Sequence, residues 1–396
     1  MQTFPRFFLL SKLLFFELSL FQKREDFTYF ITVSLFTPYL GDQILANMKF
    51  EAATIKDIAK TLNISTSTVS RALNDHYAIS PETKKLVLAC AEKLNYHPNP
   101  AALSLRERKT LSIGVVVCEI ANSFFSQIIN GIESLASEKG YNVIISQTHE
   151  SYVREVADLD FLSSRSIDGL LISISAETKN LDHLKELHKM GLPIVFFDRI
   201  VPDIKTHSVV LDNFKGAYDA TKLLLQNGYT KIAAVAGSKF LPITNERLAG
   251  YVEALRCHNL QPDNDYIKYC FYGGMKISEA EDVINELLNL PHRPDAIFVT
   301  MDKLTTGCLT SLYNRGIIVP DDLAIAGFSN SDIAHLLRPS LTTVRQPALE
   351  MGRVAAELLL QLITSKRQLT EFQKRVFAPE LIIRDSSGVK KAYEIQ

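Results

Sequence analysis

The 396-residue chain predicts an α/β fold in parts: a small all-helical head, then a two-lobed body built on parallel sheets. Three observations carry that reading. Residues 54–74, TIKDIAKTLNISTSTVSRALN, hold two short amphipathic helical patterns separated by one turn. From residue 111 onward, short apolar runs alternate with amphipathic segments, as strands do with the helices that cover them. Charge divides at the same place. Residues 49–110 carry ten Lys and Arg against six Asp and Glu, a net of +4, whereas residues 111–396 carry 29 against 34, a net of −5. A basic head on a mildly acidic body is expected if only the head meets phosphates.

Residues 1–48 read as an upstream extension. The stretch FFLLSKLLFFELSLF, residues 7–21, is membrane-like, but Lys12 and Glu17 interrupt it. It is also shorter than the roughly 18 to 20 apolar residues a span requires. No small-residue cleavage site follows closely. Met48 stands where a helical head would begin, so no stable membrane association is expected.

The head is expected over residues 49–97. Ile55, Ile58, Ala59 and Leu62 fall at i, i+3, i+4 and i+7, one apolar stripe on a first helix. Asn63 breaks the run. Ser65 is a suitable N-cap for a second helix, in which Val69, Ala72 and Leu73 face inward. Thr66, Ser67, Ser70, Arg71 and Asn74 share its outer face, which is short, polar and hydrogen-bonding. Two helices so joined form a helix-turn-helix, whose second helix reads base edges in the major groove. Ser80 and Pro81 start a third helix, where Thr83, Leu86, Val87, Cys90, Ala91 and Leu94 repeat at helical spacing. Residues 98–110, around NPAALSLRERKT, form helix but lack apolar positions to pack alone, and a segment this short is marginal in water.

These motifs resemble the LacI/GalR family of bacterial transcription regulators. The likeness begins in the head, passes through SPETKKLVLACAEKLNYHPNPAALSL and the strand LSIGVVV, and runs to about residue 385. It implies a hinge helix over 98–110 that folds when two protomers meet on an operator. Leu105 then takes the position of the leucine that wedges into the minor groove, with Ala102 one turn earlier. The resemblance places base reading on Thr66, Ser67 and Arg71, and phosphate contacts on Thr68 and Ser70. It makes the body periplasmic-binding-protein-like.

In the body, residues 111–385, strands are expected at LSIGVVV (111), NVIISQ (142), GLLISI (169), PIVFFD (193), KIAAVAG (231), AIFVT (296) and LAIAGF (323). SQIINGIESLASEKG, GAYDATKLLLQNG and ISEAEDVINELLNL supply helices between them. LTTVRQPALEMG resembles a crossing back to the second lobe, before a helix MGRVAAELLLQL and a last strand pair near FAPELIIRDS. In open α/β sheets ligands bind beyond the carboxyl ends of strands. The residues there are Phe124 and Phe125, Ser173, Asp198 and Arg199, Arg247, Met275, Asp302 and Ser329. Carboxylates, an arginine and aromatic faces suit a neutral polyhydroxylated ligand. The resemblance adds that Arg247 lies in an RLAG motif that contacts effectors, that Asp198 matches an aspartate facing sugar in some members, and that Phe124 and Phe125 match an aromatic pair. Ser329 departs from it, since many members carry an effector-binding aspartate there. Four of these residues have plainer readings: Asp302 as an N-cap, Asp198 and Arg199 as a surface ion pair, and Met275 as core.

Several classes are excluded. Cys90, Cys118, Cys257, Cys270 and Cys308 are odd in number and scattered, which suits reduced packing residues in a cytoplasmic protein. No phosphate-binding glycine loop, nucleophile elbow or metal-spaced cysteine pair occurs, so no enzyme, metal or cofactor is expected. Residues 386–396 form a tail without leucine heptads, leaving a homodimer as the default. The expected protein is a ligand-responsive transcription regulator, a repressor of sugar-utilisation genes with a sugar or sugar derivative as effector. It would bind a pseudo-palindromic double-stranded DNA operator as a dimer. The alternative is an exported two-lobed sugar-binding receptor, against which the basic head argues.

Overall fold

The computed structural model describes residues 53–97, 109–365 and 370–390. The extension over 1–48, most of the tail and the hinge positions Ala102 and Leu105 lie outside the described residues. The chain divides into two units, Met1–Pro98 and Asn99–Gln396.

The first unit holds α1 (Ile55–Leu62), α2 (Thr66–Leu73) and α3 (Pro81–Lys93). Asp57 accepts the Thr54 backbone N–H at 2.8 Å and so caps the start of α1. Asn63 ends it in the left-handed region, φ 52°, where asparagine is tolerated. Ile58, Ala59, Val69, Ala72, Val87, Cys90 and Ala91 close the core. Leu86 does not join them and is 61 % exposed. The buried stripe of α3 follows Val87, Cys90 and Ala91, and Leu86 sits about 100° around the helix from Val87.

The second unit has two lobes. The first sheet has the order β11-β5-β4-β3-β1-β2, and every pairing is parallel. Its strands are β1 (Ser112–Val117), β2 (Asn142–Gln147), β3 (Gly169–Ile172), β4 (Ile194–Phe197), β5 (Ser208–Leu211) and β11 (Lys374–Phe377). The second sheet, β12-β10-β9-β8-β6-β7, is parallel except where β12 joins β10. It comprises β6 (Ile232–Ala236), β7 (Ile267–Tyr269), β8 (Ala296–Val299), β9 (Ala324–Phe328), β10 (Thr342–Arg345) and β12 (Glu380–Ile382). The inner strands are continuous apolar runs because helices cover both faces of a parallel sheet. Short β5 and β7 were not among the expected strands.

Helices of the first lobe are α4 (Ser123–Glu138), α5 (Tyr152–Ser164) and α6 (Asp182–Lys189). Those of the second are α7 (Asn213–Gln226), α8 (Pro242–Cys257), α9 (Ile277–Leu288) and α10 (Asp302–Asn314), and α11 (Ala348–Thr364) returns to the first. The chain therefore changes lobe at Leu211–Asn213, at Gln346–Pro347 and between β11 and β12. The LTTVRQPALEMG crossing runs opposite to expectation: β10 lies in the second sheet, and α11 packs on α4 in the first lobe. Gly131 and Gly352 permit that packing, since a Cβ at either would strike the backbone of the facing helix. Entry into β1 is pinned by Asp168, whose carboxylate accepts the Thr110 and Leu111 N–H groups at 2.8 and 2.9 Å.

Candidate functional site

In the head, the outer face of α2 is polar. Ser65 caps α2 by accepting the Thr68 N–H at 3.1 Å. Val69 and Ala72 are buried, so Thr66, Ser67, Arg71 and Asn74 are exposed on the other side, with Thr68 and Ser70 half-buried. The Ser67 and Thr68 hydroxyls lie 2.7 and 2.8 Å from Ser65 Oγ, and the Asn74 amide donates to the Ser70 carbonyl at 2.6 Å. Their geometry is thus held by the helix's own ends.

In the body, the strand ends of both lobes converge on one cleft, with about 500 Å³ of space, part of it open to solvent. Phe124, Phe125, Asp198, Arg199, Arg247, Met275 and Asp302 all line it. Phe124 and Phe125 sit at the start of α4, where the Asn122 side chain accepts the Phe124 N–H at 2.9 Å. Ser173 and Ser329 stand one layer back. Ser173 is fully buried, while Ser329 donates to Asp302 Oδ1 at 2.7 Å.

Asp198 and Arg199 are not a surface pair. Both are buried, and the Arg199 Nε is 3.8 Å from Asp198 Oδ2. The close partner of Arg199 is Glu150, at 2.6 and 2.7 Å through its two terminal nitrogens. Burial works against the Glu150 charge, but Arg199 and the Ala176 N–H hold its carboxyl below the ordinary value. Asp198 is pushed the other way, upward, because burial outweighs the pull of Arg199 and Arg247. Its backbone adopts φ 60°, a strained conformation for a non-glycine residue.

Arg247 is buried in the second lobe. Its Nε donates to Asn213 Oδ1 at 2.8 Å, Nη1 to the Thr300 carbonyl, and Nη2 to Gln346 Oε1 at 3.3 Å. Its guanidinium lies 3.8 Å over the Phe328 ring. Burial pushes its pKa down to about 10, which leaves it charged at neutral pH. Asp302 is the first residue of α10 and Met301 its N-cap, so the plain capping reading does not hold. Burial raises the Asp302 carboxyl against the pull of Ser329 and of the Asn330 and Phe124 N–H groups.

The sequence reading missed Glu150, Tyr272 and Gln346. Glu150 follows β2 and was open to the same strand-end rule. Tyr272 follows β7, a strand too short to register, and Gln346 sits on a crossing rather than at a loop tip.

Comparison with known proteins places this arrangement. The model of "Bacterial regulatory proteins, lacI family" matches residues 54–99, and that of a periplasmic binding protein-like domain matches residues 221–387. The HTH-type transcriptional repressor PurR of Vibrio campbellii is 33% identical over 341 residues, covering 86% of this chain and 99% of the relative. The HTH-type transcriptional repressor CytR of Escherichia coli K12 is 34% identical over 336 residues, covering 85% and 96%. A transcriptional regulator CelR–cellobiose complex superposes with a TM-score of 0.63 at 29% identity, over 84% of this chain and 99% of that one. The lac repressor dimer bound to operator and the anti-inducer ONPF shares the fold, with a TM-score of 0.73 at 24% identity over 85% of this chain and 100% of that one.

Proposed function

Because the chain belongs to the LacI family of bacterial regulatory proteins, as a DNA-binding transcription regulator and not an enzyme, we propose that its cleft senses a neutral polyhydroxylated molecule, a sugar or sugar derivative. One observation carries this. Asp198 on the first lobe and Arg247 and Asp302 on the second face the same space. A ligand that donates to both carboxylates and accepts from the guanidinium bridges the lobes and stabilises their closed arrangement. Both carboxyls are raised by burial, so hydroxyl donors that share their charge relieve a cost already present.

We further propose a cytoplasmic homodimer on a pseudo-palindromic operator, with Thr66, Ser67 and Arg71 reading bases and Leu105 of each protomer wedging into the minor groove. Exposed apolar side chains support self-association: Ile145 on edge strand β2, and Val153 and Phe161 on α5. Effector and operator affinity are then linked by a coupling energy, typically about 1 to 3 kcal/mol. A thermal-shift screen of the full chain against sugars and nucleobases tests the ligand class. A ligand at 100 times its Kd adds about 2.7 kcal/mol, so a panel of sugars without effect beside an effective nucleobase would replace the sugar reading.

A further inference from the structure

The lobes meet at the cleft mouth through a pair of charges. Lys303 Nζ, in the first turn of α10, lies 3.2 Å from Glu119 Oε2, two residues beyond β1 in the other lobe. Both side chains line the cleft and are partly shielded, 32% and 16% exposed. Among the described residues this is the one ion pair that joins the lobes. The other cleft cations are committed elsewhere, Arg199 to Glu150 within its own lobe and Arg247 to neutral partners. A second contact also joins the lobes: Gln127 on α4 accepts from the Asn330 amide at 2.8 Å and donates to the Asn330 carbonyl at 3.2 Å and, more distantly, to Asp332 Oδ1 at 3.4 Å.

We propose that Glu119 and Lys303 form an electrostatic clasp that sets how readily the cleft closes. Building on the reading of the cleft as the ligand site, the clasp tunes ligand affinity without having to touch the ligand. Closure brings the two charges together where water is partly excluded, so their attraction is gained only in the closed form. The gain is modest because both groups keep some solvent, and added salt weakens it. The Gln127–Asn330 contact has no net charge and persists in salt, so losing the clasp loosens the cleft without springing it open. The three crossings are the natural pivots.

The molecule carries a reporter. Cys118 lines the cleft and is 1% exposed, whereas Cys308 is fully buried in the core of the second lobe. In the full chain, N-ethylmaleimide modification of each thiol is followed by peptide mass. Lys303→Gln and Glu119→Gln should each speed modification of Cys118 about three-fold, and the double variant should be no faster than either, since all three remove the same pair. Cys308 should keep its wild-type rate throughout. Raising NaCl from about 0.05 to about 0.5 M should speed Cys118 in the wild type and not in the variants. An unchanged rate in Lys303→Gln, single effects that multiply in the double variant, or a salt-independent wild type would each overturn the clasp. Acceleration by Glu119→Gln alone would do the same, as it would report only a local effect on the neighbouring thiol. No ligand enters the assay, so its failure is separate from failure of the sugar reading.

Discussion

Arg199 and Glu150 form a two-bond ion pair inside the first lobe, and Arg199 Nη1 also donates to the Ile174 carbonyl at 3.0 Å. Glu150 Oε2 in turn accepts the Ala176 N–H at 2.7 Å. A buried Glu155 accepts the adjacent Ser175 N–H at 2.6 Å. The loop after β3 is thereby held by carboxylates from the neighbouring β2–α5 segment, and Arg199 is as much part of the cleft wall as of its lining.

Glu150→Ala should destabilise the protein by about 3–5 kcal/mol, because it leaves the buried Arg199 charge without its close partner and with only the more distant Asp198. Urea unfolding measures this. The Glu150→Gln, Arg199→Met double variant should recover much of the loss, and equal losses in single and double variants would show that packing rather than charge pairing is at stake. The sign with pH follows from the depressed Glu150 carboxyl: its contribution is full above the unfolded value and is lost as pH falls through the lower folded value.

Asp198→Asn should raise the melting temperature at neutral pH by on the order of 2–4 °C while abolishing the ligand response. The raised carboxyl of Asp198 means its ionised form costs folding free energy. As pH falls through that raised value the wild-type group protonates first in the folded state, so the advantage of the variant should shrink in acid. A constant advantage across pH would locate its origin in backbone strain at φ 60° instead.

Arg247→Ala should remove any ligand-induced thermal shift and leave operator binding within about a factor of three, since the head is a separate unit. Arg247→Lys should not restore the shift, because an ammonium cannot reproduce three directed donors and a stacked face over Phe328. Loss of cooperative unfolding in both variants would mark Arg247 as structural.

Arg71→Ala should weaken binding to a selected operator and relax preference at one base pair by about 1–3 kcal/mol. Binding to a set of single-base operator variants distinguishes this from a uniform loss, which would assign Arg71 to phosphate.

Local patterns made much of this legible. The capping residues Ser65 and Ser80, the break at Asn63 and the long apolar strands are encoded by neighbours within a turn or two. The strand-end rule found seven cleft-lining residues because parallel strands direct their carboxyl ends to one edge. It could not distinguish lining from support: Ser329 satisfies the rule as well as Asp302 does, yet lies behind it. The direction of the β10–α11 crossing was also illegible, since nothing local tells a strand which sheet it will join.

The sequence alone determined the long helices and the long apolar strands, the basic head with its helix-turn-helix, and the family to which the chain belongs. Those depend on periodicity, capping chemistry and charge, all carried by residues near one another in the chain. Only the tertiary structure decided partners: Arg199 with Glu150 rather than Asp198, Asp302 with Ser329, and Lys303 with Glu119. A charge shielded from water, wholly or in part, takes the partner that folding brings within about 3 Å, and here those partners stand 27 to 184 residues apart, beyond the reach of any local pattern.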